Sequence, residues 1–265
     1  MMLVLKHKGV GVEQKEDYTV IMERIKKRYV DDLVDAKCEL CGASIKVMVG
    51  EKESLCTSCQ EQKDIHKRRL KYLDYLLPLG YKNMRFENFV KRSSVKNIDV
   101  ALNVAKRFVG DDTGVYLYGA AGQGKTHLLI SALRDCVMQG RSVKLLRYSS
   151  ELKNYKERGL KKEDFFDEYS KCDCLFIDDF GSVGSKDDAI DILYGILQRR
   201  IENNKGKKIF ITANISVSQI EDDRVKSRVV GMCTGYMCHD NGVDTDKYVN
   251  IIELNGKDIR LEGRL

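Results

Sequence analysis

Gly119-Ala120-Ala121-Gly122-Gln123-Gly124-Lys125-Thr126 is the stretch of this chain whose residue types and spacing most directly imply chemistry. Its glycines let a backbone fold closely around a phosphate, with successive N–H groups and a helix N-terminus aimed inward. At this spacing Lys125 reaches β- and γ-phosphates, and the Thr126 hydroxyl is a ligand for Mg2+. Gly119, Ala120, Ala121, Gly122, Gln123, Gly124, Lys125, Thr126 and His127 are therefore the expected cradle for a nucleoside triphosphate.

A second group follows some 50 residues on. Leu175-Phe176-Ile177-Asp178-Asp179 is an apolar run ending in two carboxylates, the arrangement that sets an acid beside magnesium at the end of a strand. Asp178 is expected to order the metal's water shell and Asp179 to polarise an attacking water. Asn214, directly after the apolar run 208–212, has an amide suited to orienting that water. In Arg224-Val225-Lys226-Ser227-Arg228, expected just after a short helix, a guanidinium suits a charge-rich phosphoryl-transfer transition state, most of all when a neighbouring subunit supplies it.

Four cysteines point to a different task. Cys38-x2-Cys41 and Cys56-x2-Cys59, 14 residues apart, have the spacing of two knuckles that bring four thiolates around Zn2+. Ile45, Val47 and Val49 alternate with Lys46 and Met48 as a short strand between them. About 25 residues bury too little apolar surface to fold unaided, so the metal is expected to be the core, with no coordination position left for catalysis.

These groups need scaffolds to hold them. Residues 115–118 form an apolar strand into the glycine loop, and Leu128, Leu129, Ala132 and Leu133 continue it as a helix. Residues 187–204 carry Ile190, Leu193, Ile196, Leu197 and Ile201 on one helical face, with Arg199 and Arg200 near the end favouring the helix dipole or facing a neighbour. Strands alternating with helices imply an α/β fold with a mostly parallel sheet. Upstream, Val20, Ile21, Ile25, Tyr29 and Leu33 predict an amphipathic helix within residues 13–36.

The 265 residues carry a net charge of +6. Residues 61–107 hold twelve Lys or Arg against five Asp or Glu, a local +7, so the remainder is near neutral at −1. This stretch, with Lys67-Arg68-Arg69 and Lys71 on an expected linker helix ending near Pro78, is where an anionic polymer would be met. Tyr72, Tyr75, Tyr81, Phe86 and Phe89 interleave with the charge and are suited either to stacking on bases or to burial. No apolar run approaches the roughly 20 residues of a membrane span, which points to a cytoplasmic protein whose nine cysteines stay reduced. Cys136, Cys172 and Cys174 read as buried small hydrophobes, and Cys233, Cys238 and His239 as loop residues.

Arg85-Phe86-x-Asn88-Phe89, the glycine loop running into Thr126-His127-Leu128, Leu175 to Gly181, Thr212-Ala213-Asn214 and Ser227-Arg228 stand in the order seen in AAA+ proteins of the DnaC/DnaI helicase-loader and IstB transposition-helper group. The resemblance covers residues 82–265. It implies that Lys125 and Thr126 are Walker A ligands, Asp178 and Asp179 Walker B acids, Asn214 a sensor 1 and Arg228 an arginine finger. Arg224 resembles a second arginine position, and residues 252–260 the family's closing strand. It further implies an ATPase with slow, switch-like turnover, with a replicative hexameric DNA helicase and single-stranded DNA as partners and self-association when bound. The resulting expectation is a helix and zinc-ribbon partner-binding domain over residues 1–60, a basic linker helix over 61–81 and an AAA+ domain over 82–265. Alternative readings are a transposition helper, which usually lacks a metal-bearing front domain, and a small-molecule P-loop kinase.

Overall fold

The computed structural model describes residues 33–48, 54–148, 150, 159, 161–181, 187–203, 208–233, 238–239, 242–243 and 250–256. The chain divides into two compact units, Met1–His66 and Lys67–Leu265.

In the first unit, β1 (Leu33–Lys37) pairs antiparallel with β2 (Ser44–Met48), with Ala36 opposite Ile45 and Lys37 opposite Ser44. The expected strand at Ile45 and Val47 is thus present, whereas residues 33–36, expected at the end of a helix, are extended as its partner. The rest of that predicted helix lies outside the described residues. Helix α1 (Thr57–Leu76) begins between Cys56 and Cys59, so the second cysteine pair straddles a helix start.

The second unit is a three-layer α/β fold. Helix α2 (Ile98–Arg107) leads to β3 (Val115–Gly119), which feeds the glycine loop and α3 (Lys125–Met138). Then come β4 (Val143–Arg147), α4 (Lys162–Ser170), β5 (Cys174–Phe180), α5 (Asp187–Glu202), β6 (Ile209–Ala213), α6 (Asp223–Cys233), the two-residue pair β7 (Cys238–His239) and β8 (Gly242–Val243), and β9 (Ile251–Leu254). The central sheet has the order β4-β5-β6-β3-β9, every pair parallel. The first strand in sequence therefore sits between the fourth and the last. That reversal opens a crevice at the carboxyl ends of β3 and β6, where doubly wound sheets bind their ligands.

A parallel sheet is covered on both faces, which is why its strands are apolar throughout rather than alternating. On one face Leu128, Leu129, Ala132 and Leu133 of α3 pack with Ala101 and Ala105 of α2 against Leu117, Phe176 and Phe210. On the other, Leu193, Ile196 and Leu197 of α5 and Val225 and Val229 of α6 cover Tyr116, Ile177 and Ile211. Phe108, Phe176 and Phe210 form an aromatic cluster with centroids 5.3 to 6.1 Å apart, all fully buried. Phe176→Ala should cost about 3–5 kcal/mol of stability through lost transfer energy and an uncollapsed cavity, measured by urea denaturation.

The basic stretch is anchored to this fold at a few points, while Lys67, Arg68, Lys71, Lys91, Lys96, Lys106 and Arg107 stay exposed. Leu73 of α1 and Leu77, just beyond it, are buried in the core. Arg69 donates to the Met138 carbonyl at the end of α3 at 2.5 Å, and the Tyr72 hydroxyl donates to the Val143 carbonyl at 2.8 Å. Lys82 pairs with Asp74 and Lys91 with Asp99. Of the interleaved aromatics, Phe86 and Phe89 pack on the core, and Tyr75 stands 88% exposed.

Two further expectations resolve here. Arg200 is fully buried in its own chain, donating to the carbonyls of Cys172 and Lys208 at 3.0 and 2.9 Å, so it does not face a neighbour. Arg199 donates to Asp167 and lies over the Phe166 ring. Cys136, Cys172 and Cys174 are buried, and Cys233 is buried within α6 rather than in a loop.

Candidate nucleotide site and candidate metal centre

The glycine loop turns sharply because its glycines adopt backbone angles closed to other residues. Gly119 has φ +139° and Gly124 φ +88°, and a Cβ on Gly119 would lie 2.0 Å from the Leu254 carbonyl oxygen. A Cβ on Gly124 would lie 2.9 Å from the Phe89 ring. The loop is therefore clamped between β9 and the segment ending at Phe89, and both contacts require the absence of a side chain.

Lys125 opens α3 and is 5% exposed, with Nζ 2.7 Å from each of the carbonyl oxygens of Gly119 and Ala120. The ammonium thus lies along the loop, not in the solvent. Gln123, 1% exposed, donates from Nε2 to the Gly256 carbonyl at 2.9 Å, tying the loop to the chain after β9. His127 Nε2 lies 2.9 Å from the Arg85 carbonyl and 3.2 Å from Asn88 Oδ1; both are acceptors, so this nitrogen carries the proton. The His127 ring meets Phe89 edge-on at 5.1 Å. His127 accordingly holds the Arg85–Phe89 segment on the first turn of α3.

Asp178 is 1% exposed and surrounded by hydroxyls. Its Oδ1 accepts from Thr126 at 2.9 Å and from Thr212 at 2.7 Å, and its Oδ2 accepts from Tyr81 at 2.8 Å. Three hydroxyl donors thus meet the hydrogen-bonding need of this buried side chain. Burial first, and then the charge of Asp178, push the Tyr81 hydroxyl well above the usual phenol range, which keeps it a donor. Neither Thr212 nor Tyr81 was expected at this site. Thr212 was within reach of sequence reasoning, since it lies two residues before Asn214 on the strand beside β5.

Asp179 differs sharply from its neighbour. The register of β5 on β6 shifts between Ile177 and Phe180, and Asp179 takes φ +59° at this irregularity. Its N–H donates to Thr212 Oγ1 at 3.1 Å and its side chain is exposed. A β-bulge of this kind re-aims side chains at a strand end. Asn214 is exposed just past β6 and lines a polar cleft of about 530 Å3 with Gly119, Gln123, Ser218, Glu253 and Gly256.

Arg224 and Arg228 follow the short 3-10 helix Val217–Gln219, as expected, and lie inside α6. Arg228 is half-buried and donates from Nε to Gln198 Oε1 at 3.0 Å. Arg224 is exposed, paired with Asp222 at 2.7 Å and Asp191 at 3.0 Å, and its guanidinium lies 4.8 Å from the Tyr194 ring centroid. The structure thus brings Thr126, next to Lys125, onto Asp178 at the loop, while Arg228 is bonded to Gln198 where α6 packs on α5.

In the first unit, the sulfurs of Cys38, Cys41, Cys56 and Cys59 all lie within 4.8 Å of one another. Cys41 and Cys56 Sγ are 3.7 Å apart. Tetrahedral zinc with Zn–S near 2.3 Å sets its sulfurs roughly 3.8 Å apart, whereas a disulfide requires about 2.05 Å. Backbone N–H groups of Cys56 and then Cys41 draw the Cys38 thiol down to about 6, while the neighbouring sulfurs, Cys56 foremost, push Cys59 up to about 12. Ionising all four thiols together is opposed by their proximity, an opposition a dication removes. Cys238 and His239 pair β7 with β8, and the expected Lys257-to-Arg260 end of the closing segment lies outside the described residues.

A five-stranded parallel sheet with a glycine loop, a buried acid on the adjoining strands and its order of elements defines a P-loop ATPase of AAA+ type. Residues 81–235, more than half of the chain, match the family described as the bacterial DnaA ATPase domain, and the chain belongs to that family. ATP and Mg2+ are the ligands that this family implies. The chain is 32% identical over 148 residues to the chromosomal replication initiator protein DnaA of Wolinella succinogenes, covering 54% of this chain and 33% of that protein. It is 30% identical over 151 residues to DnaA of Helicobacter hepaticus, with 54% and 32% covered. It thus spans about a third of the length of these relatives. A crystal structure of DnaI shares the fold at 22% identity and TM-score 0.50, covering 59% of this chain and 91% of that one. No described helix is long and apolar enough to cross a membrane.

Proposed function

We propose that this chain is an ATP-dependent loader of the replicative DNA helicase, acting in the cytoplasm. Residues 1–60 form the arm that grips the hexameric helicase, residues 61–81 link it, and residues 82–265 bind ATP and single-stranded DNA and associate with further copies. The observation that carries the ATPase part is the Thr126–Asp178–Thr212 cluster beside the loop. The family match to an ATPase domain of replication initiators supports the replication setting, and the four-cysteine centre supports the partner arm.

The residues present fit the ligands. Gly119 and Gly124 hold the loop in positive-φ turns packed on Leu254 and Phe89, and Lys125 lies where it can turn from two carbonyl oxygens to a phosphate. Thr126 and Asp178 hold Mg2+, which when bound offsets phosphate charge. Asp178 keeps Thr126 oriented through the bond to Oδ1, and Thr212 fixes that oxygen from the other side. Asp179, exposed at the bulge, takes the proton side of the attacking water, and Asn214 orients that water from the end of β6. Arg228 of an adjoining copy supplies the guanidinium that stabilises charge on the transferred group. Cys38, Cys41, Cys56 and Cys59 hold Zn2+ with no open position, so that metal shapes a surface and takes no part in hydrolysis.

Two measurements test this reading. The full chain should co-elute with a hexameric replicative helicase, and the Cys38→Ser chain should not, while still binding ATP. Hydrolysis should be slow and rise about tenfold or more with single-stranded DNA, within the ceiling of about 10^3 to 10^5 that a trans guanidinium can supply. Vigorous turnover by an isolated monomer, or co-elution with a transposase in place of the helicase, would contradict it.

A further inference from the structure

Among the described residues, Tyr81 is the one hydroxyl on Asp178 that comes from outside the sheet and the glycine loop. Both lone pairs of Oδ1 are met, by Thr126 and Thr212. Any further donor to this carboxylate must come to Oδ2, where it meets the Tyr81 hydroxyl, which takes one of that oxygen's two lone pairs at 2.8 Å. A metal-bound water is such a donor.

The other end of this contact is the helix that starts among the cysteines. Tyr81 closes the 3-10 turn Leu79–Tyr81, set by Pro78 (φ −56°), two residues beyond the end of α1 at Leu76. Leu79 in this turn is 85% exposed, so its apolar hold on the core is the Tyr81 ring. The turn's backbone bonds are local, from Tyr81 N–H to Pro78 and from Lys82 N–H to Leu79. Its ties to the body of the domain include the Tyr81 hydroxyl and the Arg134 guanidinium donating to the Lys82 carbonyl. Lys82 also reaches back to Asp74 on α1 at 3.2 Å. A change at Oδ2 of Asp178 therefore reaches α1 through a single short turn.

We infer that Tyr81 is a positioning residue that couples the nucleotide site to helix α1, its hydroxyl competing with a magnesium-bound water for Oδ2 of Asp178. The inference rests on the ATP-binding reading above. Occupation of the site by magnesium nucleotide loosens the 79–82 turn, and a docked turn weakens magnesium nucleotide binding by the same factor, as linkage requires. The partner arm thereby receives the state of the site through the chain itself.

Amide hydrogen exchange of residues 77–84 in the full chain, with a non-hydrolysable ATP analogue, tests this directly. In the unsubstituted protein exchange there should rise about fivefold when nucleotide and Mg2+ are both present, and stay unchanged with nucleotide in EDTA, since the competitor is the metal's water. Tyr81→Phe keeps the ring and removes the hydroxyl. It should show the fast exchange without ligand, gain nothing further on binding, and take magnesium nucleotide about fivefold more tightly. Unchanged exchange at 77–84 in the nucleotide-bound unsubstituted protein, or equal or weaker binding by Tyr81→Phe, overturns the coupling alone. Failure of the unsubstituted protein to bind nucleotide overturns the ATP-binding reading, and the coupling with it.

Discussion

Lys125→Ala should lower ATP affinity by about 100-fold or more and leave no measurable turnover, while the protein remains folded. Charge-assisted bonds from an ammonium to phosphate are about twice as strong as neutral ones, and losing about 3 kcal/mol corresponds to that factor. The side chain is 5% exposed and lies 2.7 Å from two loop carbonyls, so no rearrangement of the fold is needed to bring it to a phosphate. Those carbonyls border a polar cleft and can turn to water when the ammonium is gone. Stability should therefore change little, and calorimetric titration with ATP beside a thermal melt separates the two effects. Affinity within about threefold of the unsubstituted protein would mean that the loop does not hold triphosphate.

The second large effect is expected at the cysteines. Cys38→Ser should abolish stoichiometric zinc and unfold the β1–β2 ribbon without touching ATP binding. Structural zinc contributes an apparent 10–16 kcal/mol of binding free energy, about as much as the total stability of many domains. Described ribbon residues such as Leu40 and Val34 are exposed, so the metal has no apolar core to fall back on. Elemental analysis of the purified chain, with amide exchange over residues 33–48, reads both halves. One zinc per chain retained by the variant, with protected strands, would remove the cysteine centre from the account.

Much of this site was legible in the sequence because its chemistry is local. The loop from Gly119 to Thr126 writes its own conformation in glycines, and the apolar run before Asp178 requires only a strand of ordinary length. Both cysteine pairs are likewise read from spacing, since the reach of a knuckle is a few residues. What escaped detection depends on contacts far apart in the chain. Tyr81 meets Asp178 across 97 residues, and nothing near Tyr81 distinguishes it from Tyr72 or Tyr75, which interleave with the same charges. Residues 33–36 were expected to be helical from an apolar pattern upstream, yet β2 offers them an edge to pair with, and pairing outweighs a weak helical preference.

The arginines show the same division. Arg200 and Arg199 are adjacent near the end of one helix, but one turns into carbonyl oxygens and the other onto a phenyl ring. Sequence periodicity could not separate them because their fates depend on α4 and on the loop after it. Arg224 and Arg228 follow a short helix as expected but also lie within a second one, where a spacing of four residues sets them on one face. Arg224 is already braced by Asp191, Asp222 and Tyr194, which limits the rotamer entropy it would lose at a contact with another copy.

The claim on which the mechanism depends is that one copy's Arg228 completes the site built by Lys125, Thr126 and Asp178 of another. Lys125→Ala leaves a chain with a dead loop and an intact arginine; Arg228→Ala leaves the reverse. ATP hydrolysis of an equimolar mixture of the two, each inactive alone, should recover a substantial part of the single-stranded-DNA-stimulated rate. A mixture as inactive as its components, under conditions where the two chains co-assemble, would contradict a site shared between neighbours.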